Sequence, residues 1–223
     1  VISTPIGNLE DISIRALDVL KSIDYIICED TRITKRLLLK YDIESKLISY
    51  NEKNELKKIS RVIDDLNNNY KIALVSDAGT PCISDPGYRL ISHIKQNNLD
   101  FSVLPLPGPS AAIAALSVSG LPSDSFYFVG FLPKKKGRQK KIKQIKGIDS
   151  TIILYEAPYR INKTLSDLYS YLGDRKIFVA REMTKLYEQH FYGTLKSMID
   201  QNIHINPKGE YVIIIAKEGY LIE

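Results

Sequence analysis

Short apolar runs, each closed by a polar or glycine- and proline-bearing segment, alternate along the first half of the chain with longer stretches whose apolar positions recur every three or four residues. The runs predict strands at 1–3, 25–28, 47–50, 72–76 and 101–105, and the stretches between them predict helices at 11–23, 31–40, 53–69 and 85–97. Leu17, Leu20 and Ile23 give the first helix an apolar face, and Leu90, Ile91 and Ile94 do the same for the fourth. Strict alternation of this kind implies an α/β domain with a mainly parallel sheet. Pro105-Leu106-Pro107-Gly108-Pro109 closes both patterns, so a first domain is expected over 1–106 and a second over 107–223. The second begins with an alanine-rich helix at 110–116, whose small side chains allow close backbone approach. Strands follow at 126–130, 151–155, 176–180, 188–192 and 211–216, with helices at 135–146, 159–171 and 194–201. The last strands are closely spaced, which implies some antiparallel pairing and a mixed C-terminal sheet.

The densest chemistry follows the run at 72–75, in Ser76-Asp77-Ala78-Gly79-Thr80-Pro81-Cys82-Ile83-Ser84-Asp85-Pro86-Gly87. Asp85 followed by Pro86 reads as a helix N-cap with proline at the first helical position, which puts the loop at the carboxyl end of a strand, where open α/β sheets bind ligands. It contains Asp77 and Asp85 and no Lys or Arg. A phosphate cradle needs cationic help beside its glycines, so this loop suits a cationic or hydroxyl-rich ligand. A tight connection with a capping aspartate accounts for the same residues.

Charge changes the picture in one place. The chain carries 31 Lys and Arg against 26 Asp and Glu, a net charge of +5. Lys134, Lys135, Lys136, Arg138, Lys140, Lys141, Lys143 and Lys146 fall between residues 133 and 147 with no acid among them, and without those eight the remainder sits at about −3. Basicity this local is the pattern of a polyanion-binding patch, with a solvated helix face as the plainer alternative. No run is long enough to span a membrane and no basic-then-apolar leader opens the sequence. Cys28 and Cys82 lack CxxC spacing, and His93, His190 and His204 are scattered. A soluble, cytoplasmic protein without a metal site is therefore expected.

Four further polar clusters follow predicted strands: Thr4 to Leu9, Cys28 to Arg32, Tyr155 to Arg160 and Ala180 to Glu188. Taken in order, TPIGNLEDIS, EDTR, LVSDAGTPCISDPGYRL, PLPGPSA, SGLPSDSFYFVGFLPKK, YEAPYR, AREMTKLYE and KGEYV resemble the class III S-adenosylmethionine-dependent methylases, the group that also holds the tetrapyrrole methylases. Within that group the likeness is to the enzymes that methylate bacterial small-subunit ribosomal RNA, and it runs from Val1 to about Ala216. It implies methyl transfer to the ribose 2′-hydroxyl of a decoding-centre cytidine in 16S rRNA, by a homodimer of two-domain subunits binding S-adenosylmethionine between domains. The sequence departs from the family's pattern at Tyr159, where a histidine is usual, and at Ala157, where a serine is.

Carried over residue by residue, the resemblance implies that Pro5 and Gly7 line the cleft and that Asp77, Ala78, Gly79, Ile83, Ser84 and Asp85 contact the cofactor. Ser110 and Ala111 would meet it from a helix start, and Tyr155, Ala157 and Ala180 from the second sheet. A sulfonium, an ammonium and a ribose diol suit such a set of carboxylates, backbone groups and small side chains. In-line displacement at a methyl carbon gains most from alignment, but a ribose hydroxyl also needs a base or a cation that stabilises its alkoxide. Asp30, Arg32, Glu156, Arg181, Glu182 and Lys185 are the candidates, and ion pairs between segments account for them equally. Lys134, Lys135, Lys136, Arg138, Lys140 and Lys141 are the candidate RNA contacts. A tetrapyrrole methylase of the same fold gives no use for that basic run. A non-catalytic RNA-binding protein gives none for the carboxylate loop.

Overall fold

The computed structural model describes residues 1–201 and 208–220. The chain forms two compact units, Val1–Ser110 and Ala111–Glu223. In the first, strands β1 (Tyr25–Cys28), β2 (Lys46–Ser49) and β3 (Ile72–Val75) form a wholly parallel sheet in the order β2-β1-β3. Alternate side chains point to opposite faces of a strand, and the burial follows that period. Ile26, Cys28, Ala73 and Val75 pack on α1 (Ile14–Ser22) and α2 (Thr31–Lys40). Tyr25, Ile27 and Leu74 pack on α3 (Glu55–Asn67) and α4 (Tyr88–Gln96). Ser13, whose side chain accepts from Ala16 N–H, sets the start of α1.

The segments expected as strands at 1–3 and 101–105 form no strand, and only the first is joined to the sheet, by a single bond from Ile2. Ile2 N–H donates to the Leu74 carbonyl (2.9 Å), Leu106 N–H to that of Val1 (2.8 Å) and Ser3 N–H to that of Leu106 (3.3 Å). Pro105 and Pro107 flank Leu106 and have no N–H to donate, so a regular ladder cannot propagate there. The helix expected from Asp85 starts three residues later. Cys82 (φ 71°) and Ser84 (φ 64°) are left-handed, and Gly87 (φ 117°) is the N-cap of α4. A Cβ on Gly87 would lie 2.6 Å from Leu74 Cδ2, so the strand packs directly against the turn.

The second unit is a mixed five-stranded sheet in the order β4-β5-β8-β6-β7, comprising β4 (Phe126–Phe131), β5 (Thr151–Glu156), β6 (Lys176–Arg181), β7 (Gln189–Thr194) and β8 (Tyr211–Ile215). Only β4 and β5 run parallel; β8 pairs antiparallel with β5 and β6, and β6 with β7. Ile152, Leu154, Ile177, Val179, Ile213 and Ile215 face α6 (Arg138–Lys146), α7 (Ile161–Leu172) and α8 (Leu195–Asp200). Ile153, Phe178, Val212 and Ile214 face α5 (Ala111–Val118) through Ala112, Ala115 and Leu116. Each such buried aliphatic contributes roughly 1.5–3 kcal/mol over its exposed state. The basic helix expected from 135 starts at Arg138, because Gly137 (φ 84°) turns the chain just before it.

Candidate active site

The parallel strands of the first unit all end at one edge, and the loops leaving that edge are tied together by named bonds. Thr4 and Gly79 exchange both backbone hydrogen bonds (2.9 and 3.0 Å). Thr4 Oγ1 donates to the Ser76 carbonyl (3.1 Å), Ser76 Oγ to that of Gly79 (3.2 Å) and Thr80 Oγ1 to that of Pro109 (3.1 Å). Asp77 Oδ1 accepts from Asp30 N–H at 2.9 Å, which joins the loop after β3 to the loop after β1. Three of the sequence clusters thus converge on this edge. Ala78, Ile83 and Ser84 are exposed there, Asp77 and Asp85 are half-buried, and Gly7 is exposed beside buried Pro5.

The electrostatics of this edge are acidic. Asp77 is pushed above the usual carboxylate range by burial, and Glu29 is raised by burial and then by Asp77, Glu52 and Asp30. Asp30 is held at about 2 by its hydrogen bonds to the Arg32 side chain and backbone, and it is the N-cap of α2. A carboxyl so far below neutral pH is a weak general base. Asp30 is therefore a capping and tethering residue, and the 88% exposed Arg32 side chain lies against it.

The burial of Asp77 has a measurable consequence. Asn at 77 keeps the acceptor for Asp30 N–H but removes a charge that burial disfavours. A carboxyl whose folded pKa is raised loses stability as pH climbs from its unfolded value, about 3.9, through the folded one. Asp77→Asn should therefore melt higher than the parent at pH 7, and the gain should vanish below about pH 4. Thermal unfolding across pH checks this; a lower melting temperature for the variant at pH 7 would show that the charge is stabilised where it sits.

In the second unit the ends of β4, β5 and β6 carry the remaining clusters. Tyr155 is flanked by Phe128 and Phe131, with ring centroids 5.1 and 5.7 Å away, and its hydroxyl accepts from Ala112 N–H (3.2 Å). Ser110 and Ala111 are half-buried at the start of α5, and Ala157 is half-buried after β5. Ala180 is fully buried in the core shared with α5, which corrects its assignment to a ligand-facing surface.

The expected catalytic residues divide. Glu156 is 1% exposed; its Oε1 accepts from Ala157 N–H (2.8 Å) and is ion-paired with Arg160 Nε (3.2 Å), and its Oε2 accepts from Thr164 Oγ1 (2.5 Å). Arg181 is buried, with its guanidinium on the Lys208 carbonyl (3.0 and 2.8 Å) and on Gln189 (2.8 Å). Both are corrected to internal anchors, since no acceptor ribose reaches a side chain without exposed surface.

Glu182 and Lys185 are half-buried, and Glu182 (φ 54°) and Thr184 (φ 63°) are both left-handed. Strain of about 1–3 kcal/mol per such residue clusters at ligand sites. Lys185 Nζ donates to Glu182 Oε1 (2.9 Å) and Glu210 Oε2 (2.8 Å). Burial alone would lower the Lys185 pKa, but the hydrogen bonds to Glu210 and Glu182 outweigh it and raise it, so the ammonium is charged at neutral pH. Sequence reading missed Glu210 as a partner, although KGEYV contains it. A Cβ on Gly209 (φ 109°) would lie 2.8 Å from Glu182 Cγ, so the glycine before Glu210 lets the two segments close.

Of the basic run, Lys134, Lys135, Lys136 and Lys140 are exposed, and Lys141 is half-buried over the Tyr127 ring (5.4 Å). Arg138 is corrected: it is buried, with Nε on Asp167 (2.7 Å) and Nη2 on Thr164 (2.8 Å). Its neutralising acid stands on the next helix, out of reach of a local charge count. Among the described residues no group of three metal-ligating side chains forms, and no helix is long and apolar enough to cross a membrane. His204 lies outside the described residues.

The chain belongs to the tetrapyrrole (corrin/porphyrin) methylase family, whose model matches residues 1–199. The solved structure of the methyltransferase CobJ has the same fold, with a TM-score of 0.71 at 14% identity over all of this chain and 95% of that one. It bears out the α/β class with one parallel and one mixed sheet. Among curated relatives, ribosomal RNA small subunit methyltransferase I of Halalkalibacterium halodurans is 46% identical over 225 residues, covering 100% of this chain and 77% of that protein. The protein of the same name from Thermotoga maritima is 43% identical over 216 residues, 97% of this chain and 96% of its own length. That from Vibrio cholerae is 47% identical over 227 residues, 99% and 76%. These identities bear out the resemblance carried by the eight motifs.

Proposed function

We propose that the protein is an S-adenosylmethionine-dependent methyltransferase of small-subunit ribosomal RNA, acting on the ribose 2′-hydroxyl of a decoding-centre cytidine in 16S rRNA. The observation that carries the RNA substrate is the exposed, acid-free lysine segment at 134–136 and 140, presented by a unit of methylase fold. A porphyrin-sized acceptor has no phosphates for it to meet, whereas an RNA backbone has one per nucleotide. The names of the relatives at 43–47% identity support the same substrate.

The first unit's loop edge fits the cofactor. Gly79, with φ of 89°, adopts a left-handed backbone that favours glycine, and half-buried Asp77 provides negative charge beside it. Asp77, the backbone around Ala78 and Gly79, and the Ile83–Ser84 turn would hold the cofactor's cationic and ribose groups. When bound, S-adenosylmethionine supplies an electrophilic methyl carbon on a sulfonium. The chain's own task is to align the ribose oxygen behind that carbon and to stabilise the charge that develops on it. Charged Lys185, held by Glu182 and Glu210, is the proposed stabiliser.

One assay tests both parts: methyl transfer to small-subunit RNA, followed by nuclease digestion and mass spectrometry of the nucleosides. The parent should yield 2′-O-methylcytidine as the methylated nucleoside. Lys185→Ala should lower the single-turnover rate about 100-fold while leaving the cofactor dissociation constant within about twofold. A base-methylated product would overturn the ribose assignment, and equal losses of rate and affinity would make Lys185 an ion-pair anchor only.

A further inference from the structure

The Lys134-Lys135-Lys136-Gly137 loop hangs between two anchors. At its start, Arg160 Nη2 donates to the Leu132 carbonyl (2.6 Å) and Arg138 Nη1 to that of Pro133 (3.3 Å). At its end, Arg138 enters α6 with its guanidinium turned inward, Nε on Asp167 and Nη2 on Thr164 Oγ1. Thr164, fully buried, donates its hydroxyl hydrogen bond to Glu156 Oε2, and the other oxygen of that carboxylate accepts from the Ala157 N–H and is ion-paired with Arg160. Both anchors thus close on one carboxylate at the end of β5.

Two features argue that this network serves the loop and not merely the core. Its charges balance in two pairs, Arg138 with Asp167 and Arg160 with Glu156. Well-packed apolar residues would stabilise a core at least as well, so an ion network of this kind finds its use in fixing a geometry. What it fixes is specific, because its outward-facing ends are the carbonyls and the arginine that bracket three exposed lysines. Each hydrogen bond is oriented by the next, from Arg138 through Thr164 to Glu156, and such chains strengthen one another where water is excluded.

We propose that Glu156, Thr164, Arg160 and Arg138 are positioning residues that hold the Lys134–Lys136 loop rigid against the YEAPYR turn, so that its ammonium groups meet RNA phosphates at fixed places without an ordering cost on binding. The inference rests on the RNA reading above. It gives the YEAPYR motif a task in substrate binding that requires no imidazole at position 159, where this chain has tyrosine.

Thr164→Val is the cleanest probe, because it removes one hydroxyl from the middle of the chain with little change of shape and no change of charge. The expected result is an apparent KM for small-subunit RNA raised about tenfold, with the single-turnover rate at saturating RNA and the cofactor affinity both within about twofold of the parent. Limited trypsin digestion should cut within 134–136 faster than in the parent, and Thr164→Ser should restore both readouts. Should the valine variant fail to fold, Arg160→Gln carries the same test, since it releases the Leu132 anchor together with the ion pair to Glu156, both parts of the network. Unchanged KM and unchanged trypsin sensitivity in a folded variant overturn the inference, as does a fall in rate at saturating RNA with KM intact. A parallel variant with all three lysines changed to glutamine separates the two levels of the argument. If it binds RNA as the parent does, the RNA reading fails; if it loses RNA while Thr164→Val and Arg160→Gln do not, only the positioning role fails.

Discussion

Gly79→Val should weaken S-adenosylmethionine binding about 100-fold in a protein that still folds. Position 79 has φ of 89°, which an L-residue adopts at a cost of roughly 1–2 kcal/mol and a β-branched one at more. The loop is also fastened there, with Gly79 exchanging both backbone hydrogen bonds with Thr4, so it cannot relax without releasing that bridge. The added Cβ would stand 3.4 Å from Ile6 Cγ2 and 3.6 Å from the Pro109 carbonyl, and valine adds two methyl carbons to it. A displacement costing about 3 kcal/mol in the bound state weakens affinity about 100-fold. Gly79→Ala should lose less, because its Cβ meets ordinary contacts. Gly120→Ala provides the control: it too has positive φ, at 66°, but nothing lies within 4 Å of its Cβ, so it should lose stability without losing affinity. Calorimetry on the three variants, with circular dichroism to confirm folding, decides the matter. Parent-like affinity in Gly79→Val would move the cofactor away from this loop.

What the sequence made legible was the sheet class and the places where strands end, because strand periodicity and loop composition are local. Val75, Cys28 and Arg181 end their strands next to the motif residues expected there. It was less informative where the backbone departs from what composition favours. Asp85-Pro86 has every local mark of a helix start, yet left-handed Cys82 and Ser84 and the contact of Gly87 with Leu74 delay α4 to Tyr88. Side-chain roles were the hardest to read, since they depend on partners distant in the chain. Arg138 lies in a run of lysines but is claimed by Asp167 and Thr164 on another helix. Glu156 has the residue type of a general base and the surroundings of an anchor. Glu182 and Lys185 kept their candidacy because Glu210, 25 residues beyond Lys185, holds the ammonium near the surface without burying it.

Replacing Lys134, Lys135 and Lys136 together with glutamine should weaken binding to small-subunit RNA by orders of magnitude at low salt and leave the cofactor dissociation constant unchanged. Lysines on phosphates release condensed counterions, so the logarithm of affinity falls with the logarithm of salt by about 0.7 to 0.9 per contact. Three lost contacts should therefore shallow the slope by about two to three units, and the parent and variant curves should converge as salt rises. A solvated surface would behave otherwise: exposed lysines without a partner change stability by less than about 0.5 kcal/mol and move no ligand. The choice of residues matters to the size of the effect. All three are exposed and lie in a loop rather than on a helix face, whereas Lys141 is engaged with Tyr127 and Arg138 faces inward. A control variant with Lys141→Gln should for that reason change the slope by less than any one of the three. A salt titration of RNA binding by the parent and both variants reads this directly. Parallel curves of equal affinity would remove the lysine loop from the RNA interface and leave the substrate assignment resting on the relatives alone.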